Sequence, residues 1–388
     1  MPHSLLWAAI VCSATGIYAA PTTESAKPAG QSTAYIGGYT DKEGKGIYAF
    51  RFNSQTGEML PLGLAVETPN PSFLVLHPSE KYLYSVGYTG PATGPRIGII
   101  SAFSVNPASS KLTLINQQSS GGGGPVRITI DKDGTHVLVA NYGTGSVSVL
   151  PIKADGRLGS ATALQQHTGH GPNPSRQESP HAHSVVLDPA NRFLFACDLG
   201  IDKVMIYAFD AAGGKLTLRG WATLPPGSGP RHLAFSPDGR FAYVISELAS
   251  TLMVYGYDSA HGELTPIQTV STLPAGWTGI NTAAEVRAHP SGKFVYASNR
   301  GNDSLVTYRT ASDGTLALAG ITPCGGHTPR FFTLDPTGAW LLCANQRSGT
   351  ITVFRIDQDT GLPKQVGAPV KVPSPTCIVL QPEEGLKN

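Results

Sequence analysis

The sequence predicts an all-β fold, a seven-bladed β-propeller of four-stranded antiparallel blades whose ring is closed by its two ends. Three observations predict it. One hairpin pattern recurs along the chain, and each repeat of about 50 residues carries four strand-length runs. The N-terminal and C-terminal segments are fragments that complete each other.

The clearest copy of the hairpin spans residues 229–248. Leu233–Ser236 runs into Pro237-Asp238-Gly239, where proline fixes φ and Asp-Gly accepts the positive φ of a tight turn. Phe241, Tyr243 and Ile245 then recur at period two, as in a strand with one buried face. A hairpin here sets Arg231 and His232 beside Glu247, so an ion pair or a site forms at its open end.

Taken in order, the chain opens with an apolar run, Leu5–Ala19, ending in the small residues Ala19-Ala20. Residues 1–20 are expected to be a cleaved signal peptide. The run is too short to span a membrane, and no second apolar run follows. Residues 21–33, rich in Pro, Thr, Ser and Lys, read as a flexible lead-in. The propeller is expected over 34–381, with 382–388 as a C-terminal tail.

Ala34–Thr40 matches the second strand of a blade that lacks its first. The later hairpins open at Ser72, Arg127, His183, Arg231, Glu285 with Arg287, and Arg330. They close near Tyr88, Asn141-Tyr142, Asp198, Glu247, Asn299-Arg300 and Gln346. Third strands follow, as in Thr251–Tyr257, Ser304–Tyr308 and Thr350–Phe354, then a Gly turn and a short fourth strand. Pro375–Gln381 matches a first strand without a blade and should pair with the N-terminal strand. Such closure removes the exposed sheet edges of an open array.

Composition narrows the function. Charged residues make up 14% and the net charge is +2, so the basic face that nucleic acid requires is missing. Gly 45 and Pro 31 suit many short strands with tight turns. Cys12 leaves with the signal. Cys197, Cys343, Cys377 and Cys324 are expected to be buried free thiols, because a chain of this length needs no bridges. The expected state is a monomer, secreted or periplasmic, with no membrane partner after cleavage.

In a propeller, first strands line the central channel. Their starts, and the ends of the second strands, meet at one mouth. Arg127, His183, Asp198, Arg231, Glu247, Glu285, Arg287, Arg300, Arg330 and Gln346 therefore converge, and His181 and His232 adjoin them. Guanidinium forks suit a small carboxylate or phosphate, and histidine exchanges protons near neutral pH. The spacing of His181 and His183 is one that metals use, yet further ligands such as Glu247 or Asp198 would be required. No metal or cofactor is expected. Gly121–Gly124 reads as a flexible loop. No serine sits in a nucleophile elbow, so covalent acyl chemistry has no evident carrier. A non-catalytic binding ring is the competing class. It would show an aromatic mouth, where this sequence offers only Tyr88 and Tyr142.

Pro180-His181-Ala182-His183, Gly229-Pro230-Arg231-His232, Glu247-Leu248 and Asn299-Arg300 resemble the seven-bladed propeller lactonases of the 6-phosphogluconolactonase type. The fungal carboxy-cis,cis-muconate cyclases belong to the same superfamily. The resemblance covers the chain after residue 33. It implies His183, Arg231, Glu247 and Arg300 as catalytic residues, with His181, His232, Glu285, Arg287, Arg330, Gln346, Arg127 and Asp198 around a small anionic lactone or carboxylate. In lactone hydrolysis His183 or Glu247 would activate water, and Arg231 or Arg300 would stabilise the oxyanion. A lactonizing cyclase would use the same parts. Enzymes acting on a sugar phosphate lactone work in the cytoplasm, which an exported chain leaves.

Export predicts a shortened chain. N-terminal sequencing of the protein from its host should begin near Ala20 or Pro21. Intact Met1 in the soluble cytoplasm would count against a signal peptide.

Overall fold

The structure, a computed structural model, describes residues 1–2, 30–40, 43–90 and 97–381. All but the first two residues of the expected signal peptide, with Cys12, most of the lead-in and the tail, lie outside the described residues. Seven four-stranded antiparallel sheets form the ring. Blades two to seven take their strands in chain order from the channel outwards. Their channel strands are Phe73–Leu76, Pro125–Ile130, Ala182–Leu187, Pro230–Phe235, Thr282–Ala288 and Pro329–Leu334.

Blade one is shared between the chain ends. Pro375–Gln381 pairs antiparallel with Gln31–Gly38, setting Val379 opposite Tyr35 and Ile378 opposite Ile36. The N-terminal strand begins at Gln31 rather than Ala34, inside the stretch read as lead-in. The four cysteines of the described residues are buried and free.

Second strands such as Trp340–Asn345 are buried along their whole length. Both faces of a blade meet a neighbour, so these strands are apolar without strict alternation. Fourth strands such as Lys215–Thr223 alternate, because they meet water.

One junction recurs round the ring. The turn before a fourth strand packs on the aromatic ring that opens the second strand of the preceding blade. Gly57 meets Trp340, Gly156 meets Tyr82, Gly262 meets Phe193, and Gly361 meets Phe294. A Cβ at Gly57 or Gly361 would overlap that ring, and both turns need positive φ. Polar bonds fix the contact: Trp340 Nε1 donates to Ser54 O at 2.6 Å, and Tyr296 Oη donates to Gly361 O at 2.8 Å.

The channel strands share a second feature. Their pairing slips by one residue near the mouth, at Pro125/Arg127, Ala182/Ser184, Pro230/His232 and Pro329/Phe331. Each slip is a β-bulge, which leaves one residue outside the ladder and re-aims its side chain. The residues so released are Val126, His183, Arg231 and Arg330. In blade six the slip falls between Ala283 and Val286 and releases the Ala284-Glu285 pair.

Removing residues from Ser374 onward should expose the edge of Gln31–Gly38, lower the melting temperature sharply and promote aggregation. A truncated chain that melts like the whole protein would show that the closing strand contributes no stability.

Candidate active site

The bulged residues Val126, His183 and Arg330 line a cleft of about 640 Å³ at the channel mouth. His183, Glu247, Arg176, Arg300 and Arg330 line it, together with Tyr39, Tyr88, Tyr142 and the Gly123–Pro125 edge. Beneath lies a hollow of about 10 Å³, lined by His183, Arg231, His232, Arg330 and Thr376 among others. That is room for about one water.

Glu247 organises the cleft. It follows the strand Phe241–Ser246, and its backbone N–H donates to Gly229 O at 2.7 Å. Arg231 Nε lies 3.0 Å and Arg300 Nη2 2.8 Å from Oε2, while Arg176 Nη2 lies 2.6 Å from Oε1. Burial alone would raise the carboxyl, but Arg300, Arg231 and the other cations hold it well below the usual carboxylate range. A carboxylate so engaged is a weak base, which disfavours Glu247 as the group that activates water.

His183 is buried, and its Nδ1, itself closed off from solvent, has no hydrogen-bond partner among the described residues. The nitrogen that can meet a ligand is therefore Nε2. Burial first, and then the charge of Arg231, hold the ring well below its ordinary 6.5, so it is neutral at neutral pH. Tyr142 and His232 meet it edge-on at 5.5 Å and 5.2 Å.

Arg330 differs from the other cleft arginines. Among the described residues it has no acidic partner; Nη2 donates to Tyr39 Oη at 3.2 Å, and the guanidinium lies over the Tyr39 ring. Its surplus charge is available to an anion.

The remaining expected site residues fall into two other places. Arg127, His232, Glu285 and Arg287 sit below the cleft, in the channel. Glu285 Oε2 lies 3.0 Å from His232 Nδ1 and 3.6 Å from Arg127 Nη1, and Oε1 lies 3.4 Å from Arg287 Nε. Burial pushes Arg127 down to about 10, still a cation at neutrality.

His181 and Asp198 are scaffold rather than cleft. Asp198 ends its strand and is wholly buried; it accepts from His181 N at 2.7 Å and faces His167 Nδ1 at 2.6 Å. Asn141, Asn299 and Asn345 hold the corresponding register, and each donates to a backbone carbonyl at or just past the end of the preceding blade's fourth strand, Ser120, Thr272 and Cys324. The cleft takes the next residue instead: Tyr142, Glu247 and Arg300. His181 stacks on Tyr142 at 4.5 Å and bonds its backbone oxygen, facing away from the cleft. Gln346 shares the register of Glu247 but does not line the cleft.

Two features were missed in the sequence. Arg176 stands on the segment 167–181, before a channel strand, with no repeat position to mark it. That segment is pinned by Gln177 Nε2, which donates to Leu199 O and Asp202 Oδ1, both at 2.8 Å. The glycine run read as a loop is the end of the strand Leu112–Gly123, where a Cβ at Gly122 would strike Asn141 and Thr144. Among the described residues no His, Cys, Asp and Glu side chains cluster to hold a metal.

A closed ring with a concave, arginine-lined cleft and one neutral histidine at its mouth defines a propeller enzyme for a small molecule. The chain belongs to the family described as lactonase, 7-bladed beta-propeller, which residues 33–380 match. It is a lactone hydrolase by family. It is 34% identical over 345 residues to a 6-phosphogluconolactonase of Bacillus subtilis, covering 89% of this chain and 97% of that one. A 6-phosphogluconolactonase of Formosa agariphila is 36% identical, with 84% and 93% covered. The solved periplasmic gluconolactonase of Pseudomonas aeruginosa superposes with a TM-score of 0.86 at 34% identity, covering 91% of this chain and 99% of that one.

Glu247→Ala should leave three guanidinium groups facing one another in a buried site. A loss on the order of 3–5 kcal/mol in urea unfolding is expected, as for breaking a buried ion pair. Glu247→Gln should cost less, since the amide oxygen still accepts. Equal stability of Glu247→Ala and the parent would refute the organising role.

Proposed function

We propose that the cleft hydrolyses a sugar-acid lactone carrying a further acidic group. The observation that carries this reading is the charge surplus. Arg176, Arg231 and Arg300 share the single carboxylate of Glu247, and Arg330 faces the cleft with no acid of its own. A neutral lactone would leave that surplus uncompensated, while an anionic one neutralises part of it. The relatives named for gluconolactone and 6-phosphogluconolactone support the sugar-acid frame. The apolar run Leu5–Ala19 supports a reaction outside the cytoplasm.

His183 is the base. Its neutral Nε2 takes a proton from a water as the oxygen attacks the lactone carbonyl. Arg231 and Arg300 face the negative charge that develops on the carbonyl oxygen. As the ring C–O bond breaks, the imidazolium returns its proton to the departing alkoxide, which becomes a hydroxyl. The new carboxylic acid then ionises. Arg330 and the Tyr39 hydroxyl hold the acidic group in ground and transition states alike.

A lactone panel assayed by acid release tests this. His183→Ala should lower kcat by about 10²–10⁴-fold, the usual range for a proton-transfer group, without changing the melting temperature. Arg330→Ala should raise KM for acid-bearing lactones and leave neutral ones little affected. Arg219→Ala, on an outer strand, is the control. Lowering the pH protonates a base, and this base is held low, so the acid limb of kcat/KM should fall below pH 6.5. Normal turnover by His183→Ala, or a preference for neutral lactones that Arg330→Ala does not alter, would overturn the reading.

A further inference from the structure

Beneath the cleft floor Arg231 rests on its own sequence neighbour. The bulge that frees Arg231 turns Arg231 and His232 together toward the channel, where strict alternation would send them to opposite faces. Arg231 Nη1 lies 3.1 Å from His232 Nε2 and 3.4 Å from His232 Nδ1. A point that close to both ring nitrogens cannot lie in the ring plane, because Cε1 or the ring itself would intervene. The guanidinium nitrogen therefore sits over the imidazole face, in the manner of a cation on an aromatic ring.

The ring is fixed from its other side. Nδ1 lies 3.0 Å from Glu285 Oε2 and donates to it. Arg127 and Arg287 hold Glu285 in turn, so the carboxylate is tethered on both oxygens. Arg231 spends Nε on Glu247 and Nη1 on Ala284 O at 2.6 Å. Among the described residues Nη2 has no partner, and it is the nitrogen free to meet a reacting oxygen.

We propose that His232, anchored by Glu285, is a positioning residue: its flat face holds the Arg231 guanidinium so that Nη2 points at the developing oxyanion. This rests on the role given to Arg231 above. The contact works with a neutral ring, since an imidazolium under a guanidinium would repel it. Burial first, and then Arg231 and Arg127, hold His232 well below its ordinary 6.5, in keeping with that state.

The experiment is a double-mutant cycle on the best lactone of the panel, with melting temperatures recorded alongside. His232→Leu removes the flat face and the Nδ1 donor. It should lower kcat by about 10²-fold, the scale of a misplaced catalytic group, with little change in KM. His232→Phe restores a flat face and should recover most of that loss. In the Arg231→Lys background, His232→Leu should cost little more, because there is no guanidinium left to hold. Glu285→Gln should show the same non-additivity in milder form, and it replaces His232→Leu if that variant fails to fold. Three results overturn the proposal: equal losses in both backgrounds, no rescue by His232→Phe, or activity lost only in step with melting temperature. If Arg231→Lys itself is fully active, the oxyanion role of Arg231 fails. If Arg231→Lys is impaired and His232→Leu is normal, the positioning role alone fails.

Discussion

Everything in this molecule depends on the antiparallel pairing of Pro375–Gln381 with Gln31–Gly38. A row of blades that did not close would carry an exposed apolar face at each end, and blade one would lack its channel strand. Closure gives every blade two neighbours. That is why second strands are buried on both faces, and why a glycine turn can lock onto an aromatic ring at junction after junction. The junctions are steric matches with little slack. They set the angle between blades and so the width of the channel. The channel width in turn decides whether side chains from different blades can touch across it.

At the mouth the same geometry becomes electrostatic. Arg231 and Glu247 come from one blade, Arg300 from the next, and Arg176 from the connection before a third. Burying so many charges is unfavourable unless each is paired. Glu247 makes the cluster tolerable by accepting from three cations. The dependence on pH follows. Its folded carboxyl lies below the ordinary 4.5, so its stabilisation is complete above that value and is lost as the pH falls through the folded value. The carboxylate therefore serves the fold and the site together, as the fixed counter-charge that keeps the arginines in place.

Much of this was legible in the sequence, and the reasons are local. Pro237-Asp238-Gly239 can only be a turn, and Phe241, Tyr243 and Ile245 can only share a face. Repetition then turns local hairpins into a ring and brings Arg231 beside Glu247. What escaped the sequence was set by single-residue shifts. Period-two reasoning cannot see a bulge, so it could not tell that Arg231 and His232 face the same space. Nor could it separate Asp198, the last residue of its strand, from Glu247, the first residue past the end of its own. The first register ties a blade to the outer strand of the one before it, as Asn141, Asn299 and Asn345 do, and the next residue lines the cleft at Tyr142, Glu247 and Arg300. Arg176 lies on a segment that no repeat governs, and its contact with Glu247 depends on the fold of that segment. The tyrosines at the rim were visible as residues, but their inward direction was not.

The two tiers of charge beneath the mouth explain how one site can be both rigid and reactive. In the lower tier Glu285 is shared by Arg127, Arg287 and His232, and none of these four lines the cleft. In the upper tier Glu247 is shared by three arginines, and the surplus faces outward through Arg330. A neutral imidazole lies at each level: His232 between the tiers and His183 at the floor of the cleft. Burial first, and then the surrounding arginines, keep each histidine from holding a proton at rest. The same arginines would stabilise negative charge created beside it. A site that disfavours a resting imidazolium but favours an oxyanion lowers the barrier only where both charges form together, as an ion pair. The reaction proposed for the cleft meets that condition, since water adding to a lactone carbonyl would give its proton to His183, and a substrate that merely binds does not meet it.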